Sequence, residues 1–178
     1  EILANIAKKD LNVQIISLSN RFGHQMAIVA GMDHTESDII IMMDSDLQHP
    51  PELIPRLLEY HEEGYDVVYT LRKEEKGDRF LKRLTSRWFY SFISIVSDLN
   101  ISPGEADFRL VSRKVADVFK YQVRERNQFL RGLFNWVGFN SIGIEYTPHS
   151  RAAGSSKYTW SIMIRMASTG FISFSRKP

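Results

Sequence analysis

The chain predicts an α/β fold whose mainly parallel sheet is flanked by helices, on three observations. Short runs rich in Val and Ile alternate with amphipathic stretches of helical period. One run, Ile39 to Met43, is continuously apolar, as in a strand buried on both faces. The rhythm strand, helix, strand, helix, strand implies right-handed crossovers between parallel strands.

The elements follow in order. Residues 1–9 read as the tail of a helix, and Asn12 to Leu18 as a short strand. Gly23 to Met32 predicts a second helix, and Asp38 to Met43 the buried strand. Pro50 and Pro51 open a helix to about Glu63, since proline is tolerated in a first turn, and Gly64 ends it. Asp66 to Thr70, Asp107 to Ser112 and Ser141 to Thr147 read as strands, with helices near Arg113–Tyr121 and Asn127–Val137. There is no repeat, low-complexity tract or linker, so residues 1–178 are expected to form one domain.

Two further stripes stand apart. Leu81, Leu84, Trp88, Phe92, Ile95 and Leu99 line one face of 80–99, beside Lys82, Arg83 and Arg87. Trp160, Met163, Ile164, Ala167, Phe171 and Phe174 line 157–174, beside Arg165. Basic residues with Trp and an apolar face suit helices lying in a lipid headgroup layer; packing into a core is the commoner fate of such stripes.

Composition narrows the function. The 178 residues are 43% hydrophobic and 25% charged, which suits a folded chain able to bury a core. Zero cysteines exclude disulfides, a thiolate zinc site and a cysteine nucleophile. The apolar run at Ile39 is far short of the roughly 20 residues needed to span a bilayer, and Glu1 opens no signal peptide, so neither a secreted nor a membrane-spanning chain is expected. Residues 1–71 hold 4 Lys+Arg against 12 Asp+Glu, whereas 72–178 hold 19 against 9. One half should gather cations and the other phosphates or an anionic surface. No base-reading motif accompanies the basic half, so nucleic acid is not an expected partner.

The sharpest chemical signal is Asp44-Ser45-Asp46-Leu47-Gln48-His49-Pro50-Pro51-Glu52. Asp44 leaves a buried strand at its carboxyl end, where open α/β sheets bind ligands. Residues two apart in extended backbone point the same way, so Asp44 and Asp46 converge, and their repulsion invites a cation. Hard oxygen donors suit Mg²⁺ or Mn²⁺, which bind through one or two carboxylates plus substrate phosphates. Gln48 offers a further metal oxygen, and His49 a ligand for metal or phosphate. A capped turn is the bland alternative for any isolated Asp-x-Asp.

These residues carry a family likeness. The runs Ile16-Ser17-Leu18-Ser19-Asn20-Arg21-Phe22-Gly23-His24-Gln25 and Asp44 to Glu52 resemble family 2 glycosyltransferases. So do Asp107-Phe108-Arg109-Leu110, Phe129-Leu130-Arg131-Gly132 and Arg151-Ala152-Ala153-Gly154-Ser155-Ser156-Lys157-Tyr158. Among them the chain looks most like the polyprenyl-phosphate sugar transferases, such as the dolichol-phosphate mannose synthases. The resemblance implies a GT-A fold and inverting transfer of a sugar from a nucleotide-diphosphate sugar to undecaprenyl or dolichyl phosphate. It implies Mg²⁺ or Mn²⁺ on Asp44, Asp46 and Gln48, with Asp46 and Asp107 in catalysis and Asp44 and Arg151 at the donor. It assigns Arg72, Arg87, Arg151, Ser156 and Lys157 to the acceptor phosphate. It also implies a membrane-anchored protein working at the cytoplasmic face of a membrane; self-association into a homo-oligomer stays open.

The front of the chain departs from the pattern. Glu1-Ile2-Leu3 resembles the helix after the family's second strand, so two strands and much of the base pocket are expected to be missing. The Asn20-Arg21 order is reversed from the usual one. Ordinary readings also stand beside each assignment: Arg72 could pair with Glu74 or Glu75, Asp107 with Arg109 or Arg113, and His24 could simply belong to a helix start. Two rival functions remain open. One is transfer to a saccharide hydroxyl, which needs a carboxylate base; the other is a non-enzymatic membrane-surface module.

Overall fold

The computed structural model describes residues 2–73, 102, 104–124 and 129–148. In chain order these form α1 (Ile2–Lys9), α2 (His24–His34), β1 (Ile39–Met42), a 3-10 turn (Pro51–Leu53) and α3 (Ile54–Glu62). There follow β2 (Val67–Arg72), β3 (Glu105–Ser112), α4 (Arg113–Tyr121), α5 (Leu130–Trp136) and β4 (Ser141–Tyr146). The segments 80–99 and 157–174, expected as interface helices, lie outside the described residues, as do Arg87, Arg151, Ser156 and Lys157. Among the described residues no helix is long and apolar enough to cross a membrane.

The sheet order is β1-β3-β2-β4. Strands β1, β2 and β4 run the same way, which is the mainly parallel sense expected, but β3 inserts antiparallel between β1 and β2. Two of the three ladders are therefore antiparallel and the sheet is mixed. This order brings the carboxyl ends of β1, β2 and β4 to one end of the sheet. Met42 pairs with Arg109 and Arg72 with Tyr146. The start of β3 lies at that same end, so Asp107 arrives beside the residues that follow Met42.

Side-chain alternation along the strands divides the core into two layers. Val67 and Val111 face a cluster with Val29 and Met32 of α2, Val115 and Phe119 of α4, and Leu130, Leu133 and Phe134 of α5. Val68, Phe108, Leu110 and Ile144 face Leu57 of α3 on the other side. Each fully buried aliphatic or aromatic side chain contributes roughly 1.5–3 kcal/mol through area removed from water. These two layers hold the sheet, and so its carboxyl end, rigid.

The strand expected at Asn12–Leu18 does not form. Ile15, Ile16 and Leu18 are exposed, and no described strand ladders with this run. Strand propensity expresses packing on a pleated, half-buried surface; without a ladder partner the backbone stays solvated. Within the described residues the other predicted elements stand, with ends shifted by at most three residues.

Gly104 fixes the end of β2. Its φ is +80°, and a Cβ there would meet the Arg72 carbonyl oxygen at 3.0 Å. The Arg72 N–H donates to the Gly104 carbonyl at 2.9 Å, beyond a register shift between Tyr69 and Leu71. Gly104→Ala should therefore lower stability by about 1–2 kcal/mol, from left-handed backbone strain plus the contact. A chemical-denaturation midpoint checks this; an unchanged midpoint would show that the turn relaxes without cost.

Candidate active site

The loop after β1 is built to hold two carboxylates at the sheet's end. The Asp44 N–H donates to His49 Nδ1 at 3.1 Å, so the loop closes on itself. His49 is buried, stacked on Phe108 at 5.1 Å between ring centroids and edge-on to Tyr146 at 6.0 Å. Burial pushes the His49 imidazole down from its ordinary value, with Arg72 adding to the effect, against the pull of Asp44 and Asp46. A neutral ring with Nδ1 accepting carries its proton on Nε2, which faces Asp44 Oδ2 at 3.9 Å. His49 thus anchors the loop, and its Nδ1 is not available to a metal or phosphate.

Asp46 Oδ1 accepts the Gln48 N–H at 3.1 Å, a side-chain turn that places the intervening Leu47 at φ 62°. A non-glycine residue in this left-handed region costs roughly 1–2 kcal/mol. The His49 anchor and the Asp46 turn hold it there, with the Leu47 side chain exposed. Gln48 Oε1 accepts from Arg72 Nη2 at 3.0 Å. The amide oxygen expected on a metal is therefore engaged with the arginine expected at the acceptor, linking the carboxylate loop to the end of β2.

A second cluster centres on Asp107 of β3. Arg131 Nε and Nη2 donate to its two oxygens at 2.9 and 3.1 Å. His24 Nε2 lies 3.2 Å from Asp107 Oδ2 and 3.4 Å from Asp44 Oδ1, bridging the two carboxylates. Arg109 Nη2 approaches Asp107 at 3.9 Å. Burial opposes ionisation of Asp107, but the His24 hydrogen bond and the Arg131 and Arg109 charges outweigh it. They hold the carboxyl far below the usual carboxylate range. The same hydrogen bond raises His24 above its ordinary value, with the Asp44 and Asp107 charges adding to it and partial burial opposing.

Beneath this lies a buried ion pair on the same strand face. Arg109 is 1% exposed, 3.1 Å from Glu105, and its guanidinium sits 4.6 Å from the Phe134 ring centroid. It also donates to the Ala106 carbonyl at 3.0 Å. Burial pushes the Glu105 carboxyl up against the pull of Arg109. These charges steady the start of β3, and hence Asp107.

The fold therefore brings Asp44, Asp46, Gln48, Arg72 and Asp107 to one end of the sheet. Sequence reasoning placed His24 at a helix start, which is where it stands, but missed its bridge to Asp44 and Asp107. Arg131 belonged to a quoted motif without a role. The pairing of Asp107 with Arg113 does not occur, since Arg113 pairs with Asp117 at 3.3 Å. Glu74 and Glu75 lie outside the described residues. Among the described residues no three His, Cys, Asp or Glu side chains cluster as a ready metal cage.

Asp44 and Asp46 beyond the end of β1, with Arg72 at the end of β2 on the same side, make an α/β site suited to a phosphate-bearing ligand. The model of glycosyl transferase family 2 matches residues 1–119, and the chain belongs to that family. It is 44% identical over its whole length to an uncharacterized glycosyltransferase, YkcC, of Bacillus subtilis, covering 55% of that protein. It is 39% identical, over 99% of its length, to a bactoprenol glucosyl transferase of Shigella phage SfX, covering 58% of that protein. A putative glycosyltransferase of Bacillus subtilis, CsbB, is 36% identical over 99% of the chain. The chain spans a little over half the length of these curated relatives.

Proposed function

We propose that this chain carries the catalytic face of a transferase moving a sugar from a nucleotide-diphosphate sugar to a polyprenyl phosphate, with inversion. The observation that carries the reading is the state of Asp107. Two arginines and a histidine surround it, so its carboxylate is a weak base at neutral pH. A hydroxyl acceptor needs a base to remove its proton, whereas a phosphate monoester is already largely anionic, with its second pKa near ~6. The likeness to bactoprenol glucosyl transferases supports the same acceptor class.

In this reading a lipid-phosphate oxygen attacks the anomeric carbon from the face opposite the nucleotide. The new C–O bond forms as the bond to the diphosphate oxygen breaks, and the leaving nucleotide diphosphate keeps the electron pair. No proton need be removed from the nucleophile. Arg72, aimed by Gln48, offsets repulsion between the two phosphate substrates. Asp107, fixed by Arg131, orients His24 and the sugar-facing end of the site rather than taking a proton.

Asp44 and Asp46 fit a divalent cation: both are hard oxygen donors close enough to His49 to act on its charge, and Mg²⁺ needs few protein ligands when phosphates complete its shell. A cation held there would neutralise the charge growing on the leaving diphosphate. We place the protein at the lipid surface that bears its acceptor, on the cytoplasmic face, with the amphipathic sequence stretches 80–99 and 157–174 as its interface segments.

Asp107→Asn tests the acceptor. With undecaprenyl phosphate as acceptor, transfer should fall no more than about tenfold, because an oriented group is lost rather than a base; loss of a general base costs about 10²–10⁴-fold. Transfer to saccharide hydroxyls in place of the lipid, abolished by Asp107→Asn, would instead establish the hydroxyl reading.

A further inference from the structure

We propose that Tyr146 is a substrate-binding residue whose hydroxyl donates a hydrogen bond to a phosphate oxygen held beside Arg72. This deepens the transferase reading and rests on it for the identity of the phosphate. Tyr146 ends β4 and Arg72 ends β2, and the two are paired in the parallel ladder. Both therefore stand at the end of the sheet where Asp44 leaves β1. Tyr146 is 5% exposed, its ring wedged edge-on against His49 at 6.0 Å and Phe108 at 6.3 Å.

Its hydroxyl has no hydrogen-bond partner of good geometry among the described residues. Arg72 acts on the phenol through its charge and as a hydrogen-bond donor facing the phenol oxygen, yet a guanidinium has donors only and cannot take the phenol proton. Whatever Arg72 does, the phenol proton must find an acceptor elsewhere. Burial pushes this phenol above its ordinary value, so the O–H is intact at neutral pH and available to donate. A phenol proton without an acceptor is a cost in the unliganded fold that phenylalanine, with the same ring contacts, would avoid, offset by the oxygen that Arg72 would lose.

The acceptor that fits is an anionic oxygen. The site's own carboxylates, Asp44 and Asp46, act on the phenol electrostatically, but neither has a hydrogen bond to it. Arg72 supplies the positive charge that draws a phosphate to this spot, and the tyrosine adds a neutral donor with a fixed direction. Both the lipid monophosphate and the donor diphosphate carry such an oxygen. Tyr146, paired with Arg72 and packed on His49 of the Asp44 loop, is compatible with either.

Tyr146→Phe in the intact protein decides the matter by two readouts. Calorimetric titration with a short-chain prenyl phosphate and, separately, with nucleoside diphosphates plus Mn²⁺ should show at least one affinity falling about tenfold. The arm that weakens identifies the phosphate. The melting temperature should stay nearly level, since the variant loses only an oxygen facing Arg72 and removes a proton that had no acceptor in the unliganded fold. Unchanged affinity in both arms would overturn the proposal. So would a melting temperature lowered by several degrees, which would mean that the phenol proton is already bonded within the chain. Neither arm requires turnover, so failure of the lipid-acceptor reading would appear separately, as absent transfer to prenyl phosphate by the unaltered protein.

Discussion

Asp46→Asn should reduce sugar transfer by about a thousandfold, some 4 kcal/mol of transition-state stabilisation, while leaving thermal stability nearly unchanged. The asymmetry follows from how Asp46 is used. Its Oδ1 accepts the Gln48 N–H and so maintains the turn that carries Leu47 at φ 62°. Asparagine retains that oxygen and can make the same turn. What it loses is the negative charge, and with it one of the two hard donors proposed to hold the cation against the donor diphosphate. Metal-dependent binding of a nucleoside diphosphate, followed by calorimetry, should vanish with the activity. Retained metal-dependent binding in the variant would remove Asp46 from the metal site and leave it as a turn residue only.

Why was so much of this site legible from the chain, and the rest not? The Ile39–Met43 run with Asp44 at its end was readable because local pattern alone specifies a buried strand and its carboxyl terminus. Asp46 and Gln48 came with it, being two and four residues on. Arg72 was readable as the end of the next strand. His24 was not, because its meaning depends on Asp107, 83 residues away, and on β3 lying between β1 and β2. No local signal says that Glu105–Ser112 enters the sheet antiparallel at that position.

The charges of β3 were hidden for a related reason. Glu105, Asp107 and Arg109 alternate along the strand and so share a face. In isolation such a face reads as solvated; here α5 covers it, with Phe134 beneath the Arg109 guanidinium. Asn12–Leu18 failed in the opposite sense. Its composition is strand-like, but composition cannot provide the neighbouring strand that would satisfy its backbone.

Arg131→Met should be the most damaging change to the fold among the site residues, lowering stability at pH 7 by about 2–4 kcal/mol. Arg131 stands in the first turn of α5 and grips both oxygens of Asp107 on β3, so it is at once a charge partner and a tie between helix and sheet. Both side chains are about four-fifths buried, and removing one partner leaves the other's charge poorly compensated. His24 and Arg109 remain near Asp107 and keep the loss below that of a wholly orphaned carboxylate. Arg131→Lys should fall between, because an ammonium retains the charge but not the planar fork.

The pH dependence supplies a signature that simple loss of packing would not. Asp107 has a carboxyl pKa depressed by folding, so its contribution is fully present above the unfolded carboxylate value and is lost as pH falls toward the folded one. In Arg131→Met the folded value should move back toward normal, and less of that contribution exists to be lost. The stability gap between the unaltered protein and the variant should therefore be widest at neutral pH. It should narrow by about 1 kcal/mol between pH 5 and pH 3 in urea titrations. A gap constant across that range would mean that Arg131 works through packing, and that Asp107 owes its ionisation to His24 and Arg109 instead.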